Sequence, residues 1–132
     1  MTKQFINPPG MKALGTYTQV TVAKGGSIGF ISGQVAIDGE GNVVGAGDIG
    51  AQTVQVFENL KVALQSMDAT FADVVKFTIY IVGLTQEKRK AVADVRSRYV
   101  SAAHPPAATM VGIEQLVQPE LLVEVEAVVA LD

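Results

Sequence analysis

Cysteine is absent from this chain of 132 residues. That excludes a disulfide, a thiolate nucleophile and a thiolate metal site. Histidine occurs once, as His104. A His-based metal centre or a catalytic Ser-His pair would have to rest on that residue alone. It stands beside two prolines at an expected loop–strand junction, with no positioned partner of the kind a general base needs, and reads as a surface residue. No apolar run approaches the ~20 residues of a membrane span, and Met1-Thr2-Lys3-Gln4-Phe5 carries no signal-peptide core. The expected location is the cytoplasm, with no membrane partner. Charge is sparse, and the net charge of −3 argues against nucleic acid as the main partner. Arginine is confined to one segment, as Arg89, Arg96 and Arg98. With Glu87 and Asp94 interleaved, that segment reads as a solvated helix face.

What is present is apolar. Hydrophobic residues make up 48% of the chain, high for a domain of this size, which points to burial between subunits. An ordinary apolar surface is the alternative. The length fits one domain spanning residues 1–132.

Residues 17–23 are rich in β-branched types and predict a strand. A turn at Lys24-Gly25-Gly26-Ser27 leads to a second strand, Ile28–Gln34, and the two are expected to pair as a hairpin. Gly29 and Gly33 within it point to a bulge or a close backbone approach. A short strand is expected at Val43-Val44. Asp48 is a good N-cap, and Ile49, Thr53, Val56, Phe57, Leu60, Leu64 and Met67 recur at helical spacing. Val74–Val82 alternates, with Val75, Phe77, Ile79 and Ile81 on one face and Lys76, Thr78 and Tyr80 on the other. Thr85 caps a second helix to about Ala103, with Val92, Val95 and Tyr99 inward and Pro105-Pro106 ending it. Strands are expected at Ala107–Ile113 and Leu121–Leu131.

Two amphipathic helices and one mixed, mostly antiparallel sheet make a two-layer α+β sandwich with helices on one face only. The bare face is solvated or buried by another subunit. It would carry Glu124, Glu126, Val128 and Ala130 from the last strand and Lys76, Thr78 and Tyr80 from the central one. Glu124 and Lys76 are expected to form an interstrand pair, worth ~0.2–1 kcal/mol. Glu126 is the candidate for a pocket role.

Five stretches in this order resemble the Rid family (reactive intermediate deaminases of the YjgF type, also labelled endoribonuclease L-PSP). They are Gly15-Thr16-Tyr17-Thr18-Gln19, Ile31-Ser32-Gly33-Gln34, Val75–Ile81, Pro106-Ala107 and Val123-Glu124-Val125-Glu126-Ala127. The resemblance implies a chorismate-mutase-like fold and a homotrimer with small-molecule pockets at the subunit interfaces. It also implies cofactor-independent, metal-free hydrolysis of 2-imino or 2-enamino acids to 2-keto acids and ammonia. By the same resemblance, Glu126 is the catalytic glutamate that holds a water, and Tyr17, Ser32, Gly33 and Thr109 line the pocket. Met110 stands where a cysteine is common, and Ala93 where an asparagine is often found.

The departure lies in Pro105-Pro106-Ala107-Ala108-Thr109-Met110-Val111. Ala108 replaces the arginine that binds the substrate carboxylate in the active branch. Such a charge-assisted contact contributes ~1.5–3 kcal/mol and orients the substrate. Weak activity on simple 2-imino acids, or none, is therefore expected. A ligand-binding or regulatory trimer without chemistry is the alternative; a deaminase with a displaced cation is a further one. For that cation Lys76 is the first candidate, since Arg96 and Arg98 have the spacing of an outer helix face. RNA cleavage is disfavoured by the acidic chain and the solitary histidine.

Overall fold

The computed structural model describes residues 2–12 and 16–132. Six strands and two helices run in the order β1 (Thr2–Ile6), β2 (Val20–Lys24), β3 (Ser27–Gln34), α1 (Ile49–Gln65), β4 (Val74–Val82), α2 (Gln86–Arg96), β5 (Ala107–Ile113) and β6 (Val123–Leu131). The main sheet has the order β3-β6-β4-β5. Only β4 and β5 are parallel, joined by the α2 crossover; β6 is antiparallel to both β3 and β4. Both helices lie on one face, giving the expected α+β sandwich.

The alternating strands fix the two faces. Phe77, Ile79 and Ile81 of β4 stand opposite Ala127, Val125 and Val123 of β6, and all six are buried. They pack beneath Val56, Phe57, Leu60 and Leu64 of α1 and Val92 and Val95 of α2 in one core. Thr78 and Tyr80 stand opposite Glu126 and Glu124, and so project from the bare face. On β5, Ala108 and Met110 are level with Phe77 and Ile79 and pack against the core, whereas Thr109 is level with Thr78.

Both helix starts are those the sequence predicts. Asp48 Oδ1 accepts from the Ala51 amide at 3.1 Å, and Thr85 Oγ1 accepts from the Lys88 amide at 3.2 Å. Gln52, buried in the first turn of α1, was not among the expected inward residues. Its Nε2 donates to the Glu120 carbonyl at 2.8 Å and its Oε1 accepts from the Leu122 amide at 2.8 Å. These bonds tie α1 to the turn that feeds β6.

One strand was not expected, and three expectations are corrected. β1, too polar to show a pattern, pairs antiparallel with β2 along its whole length. The predicted β2–β3 hairpin does not form, because β2 is taken by β1 and β3 by β6. Gly25 and Gly26 do adopt the positive φ of a tight turn, 75° and 61°, but local turn chemistry does not choose which edges pair. The Val43-Val44 strand is reduced to a single bridge between Ile37 and Val43. Finally, α2 ends at Arg96 with Ser97 as its C-cap, so Tyr99 lies beyond the helix. The Tyr99 ring still joins the core, 5.2 Å from that of Phe57.

The β1–β2 ribbon meets the starts of β4 and β5. Lys3 forms an ion pair with Asp73 at 3.0 Å, and Thr21 Oγ1 donates to the Val75 carbonyl at 2.8 Å. Thr18 donates its hydroxyl to the Pro105 carbonyl and its amide to the Pro106 carbonyl. Residues 16–19 are thus drawn to the entrance of β5 and stay out of the strand predicted from residue 17.

Candidate functional site

The residues marked out in the sequence fall into two groups. Tyr17, Ala108 and Met110 line one cavity of about 120 Å³ with Thr16, Ala93, Arg89 and Arg96. Tyr17 reaches it because Thr18 is bonded to the Pro105-Pro106 backbone. Ala108 and Met110 reach it from the helix-facing side of β5. A neighbouring cavity of about 150 Å³ shares Thr16, Ala93 and Arg96 and extends to Ser97, Ser101 and Pro105.

Glu126, Thr109, Gly33 and Ser32 form the second group. Glu126 and Thr109 project from the bare sheet face. The Tyr80 hydroxyl donates to Glu126 Oε1 at 2.6 Å, and Lys76 Nζ donates to the Thr109 hydroxyl at 2.7 Å. Glu124 lies over Gly33, where an added Cβ would fall 2.1 Å from Glu124 Oε2. Gly33 thus permits the close approach its position had suggested. Ser32 is exposed beside it, where the β3–β6 register shifts.

The electrostatics of the two groups are opposed. Burial, and then the neighbouring Glu126 charge, pushes the Glu124 carboxyl above its ordinary pKa. The hydrogen bond to Glu126 raises the Tyr80 hydroxyl, with burial adding to it. Across the sheet, burial lowers the Arg96 guanidinium, and the Arg89 charge lowers it further.

Two expectations about charge do not hold. Lys76 bonds to Thr109 and stands level with Val128, so it does not pair with Glu124. Arg96 is not on an outer face: it is 8% exposed and lines both cavities. The spacing carried part of the signal, the shared stripe but not the side it faces. Arg89, Ala93 and Arg96 recur at four and three residues and so share one helical stripe. His104 is exposed, as expected, with its ring 5.1 Å from that of Phe5. Among the described residues, no three histidine or acidic side chains converge to hold a metal ion. No described helix is long and apolar enough to cross a membrane.

The profile of the endoribonuclease L-PSP family matches residues 8–131. The chain belongs to that family. A RutC family protein of Pyrococcus abyssi is 35% identical over 117 residues, 89% of this chain and 87% of its own. The DfrA protein of Myxococcus xanthus is 36% identical over 99 residues, 75% of this chain and 74% of its own. Among solved structures, the Rid family protein YyfB of Yersinia pestis, a protein of unknown function, superposes with a TM-score of 0.91 at 35% identity, covering 99% of this chain and 100% of that one. Within this L-PSP fold, the cavity of Ala108 and the carboxylate of Glu126 lie on opposite sides of the main sheet.

Proposed function

We propose that this protein is a homotrimer that binds a small molecule in pockets between subunits. In it, an imine or enamine intermediate is hydrolysed to a keto compound and ammonia, weakly for simple 2-imino acids. The split of the site carries this proposal. Tyr17, Ala108 and Met110 open on the helix side of β5, and Glu126 and Thr109 on the bare side. A pocket that uses both groups draws one from each of two copies. The bare face supports this, because Phe30 is 78% exposed on it beside Ile28 at 44% on one edge strand, with Val111 at 38% on the other.

The chemistry asked of Glu126 is proton transfer. Water adds across the C=N bond, and Glu126 takes a proton from that water as its oxygen attacks carbon. The proton is returned to nitrogen. The carbinolamine hydroxyl then gives up its proton to nitrogen as the C–N bond breaks, leaving a ketone and ammonia. Tyr80 holds the carboxylate in place through its 2.6 Å bond. The step needs no cofactor. The weak point is substrate placement, since Ala108 offers no donor to an adjacent carboxylate.

The test is hydrolysis of 2-iminopropionate generated by an amino-acid oxidase. Little acceleration is expected, and Ala108→Arg is expected to raise it. Acceleration equal to that of a relative with arginine at this position would overturn the proposal. A variant that gains nothing would favour binding without chemistry.

A further inference from the structure

Arg96 is charged, yet more than nine-tenths buried. No hydrogen bond or ion pair engages its side chain among the described residues. An unpaired charge taken out of water is strongly disfavoured. No buried side-chain nitrogen among the described residues is sealed off without a partner. The Arg96 nitrogens therefore open onto the cavities that Arg96 lines. Arg89 lines the Ala108 cavity as well, two helical turns away, with Ala93 between them. No acidic residue lines either cavity. The fold thus holds two like charges on one cavity wall with no anion of its own to offset them, and burial and Arg89 both disfavour the charge on Arg96.

We infer that Arg96, assisted by Arg89, anchors an anion in the Tyr17–Ala108–Met110 cavity, and that the ligand is a small organic carboxylate. This rests on the proposal that the cavity is a ligand site. A guanidinium pairs with a carboxylate through two parallel hydrogen bonds. The remaining wall, Ala93, Ala108, Met110 and the Tyr17 ring, suits a short apolar chain, and about 120 Å³ admits only a few heavy atoms. The cation missing from β5 is supplied by α2, at another point on the wall. An acid is bound there, but its reactive carbon is presented to Glu126 in a different orientation from the one a strand arginine would give.

Calorimetric titration of the whole protein with pyruvate, glutarate, inorganic phosphate and uncharged propionamide tests this. The carboxylates bind and propionamide does not. Arg96→Gln weakens carboxylate binding about ten- to hundredfold, Arg89→Gln weakens it less, and Arg98→Gln, outside the cavity, leaves it unchanged. Should Arg96→Gln fold poorly, Ala93→Glu places a competing carboxylate between the two arginines and abolishes binding. Equal binding of acid and amide, no binding of either acid, or acid binding untouched by Arg96→Gln overturns the inference. Phosphate binding tighter than both acids overturns the carboxylate assignment. Light scattering run in parallel separates the two proposals. Arg96-dependent binding by a monomer removes the interface and leaves the anchor, whereas a trimer that binds only propionamide does the reverse.

Discussion

At the scale of single residues, position on a face decided more than residue type. Glu124 and Glu126 are two residues apart on one strand face, but their surroundings differ. Glu126 accepts from Tyr80, while Glu124 is partly buried over Gly33. A carboxyl group whose pKa is raised on folding holds its proton more tightly in the folded state. Its effect on stability is therefore unfavourable as pH rises from the unfolded value, about 4.3, through the raised folded value. Glu124→Gln is expected to raise the melting temperature at pH 7, and the gain should vanish below about pH 4. Thermal unfolding across that range checks it; a variant less stable at pH 7 than at pH 4, relative to the parent, would show that the Glu124 charge is favourable. The alternation around Phe77 and Val125 was legible in the sequence because a buried strand face has a period of two. The burial of Arg96 was not, because charge masks a residue's place on a helical stripe until the helix is docked.

At the scale of elements, the helices and central strands were legible because their caps and periodicities are local. The pairings of β1 and β2 were not, since which edges meet depends on distant segments. Gln52 is the clearest element-level contact that no pattern announced. It crosses from α1 to the Glu120 carbonyl and the Leu122 amide, 68 and 70 residues away. Gln52→Leu removes both bonds and a third to the Gly45 carbonyl at 3.2 Å, and leaves their part-buried backbone partners unpaired. A loss of about 2–4 kcal/mol is expected from urea unfolding. A loss under about 0.5 kcal/mol, the usual scale of a surface substitution, would mean that water replaces the amide freely.

At the scale of the whole molecule, one protomer leaves a sheet face uncovered, with Phe30 its most exposed large residue. Light scattering is expected to give a mass three times that of the 13.9 kDa chain. Phe30→Ser should shift that mass toward the monomer while leaving the protomer's circular dichroism unchanged. A parent protein that stays monomeric at high concentration would remove the interface and the composite pocket with it. The split between the Ala108 cavity and Glu126 has meaning only at this scale.

The sequence by itself determined both helices and their caps, the strands β3 to β6, the alternating faces of β6 and of β4 from Lys76 onward, and the family. These follow from local periodicity and side-chain chemistry, which a chain carries before it folds. Only the tertiary structure decided that β1 claims β2, that Gln52 links α1 to β6, and that the site residues part to opposite sides of the sheet. Nor could the sequence place Arg96 beside Ala108. The cause is docking: the crossover sets the Arg89–Ala93–Arg96 stripe of α2 against the inner side of β5, putting a guanidinium where the strand has none.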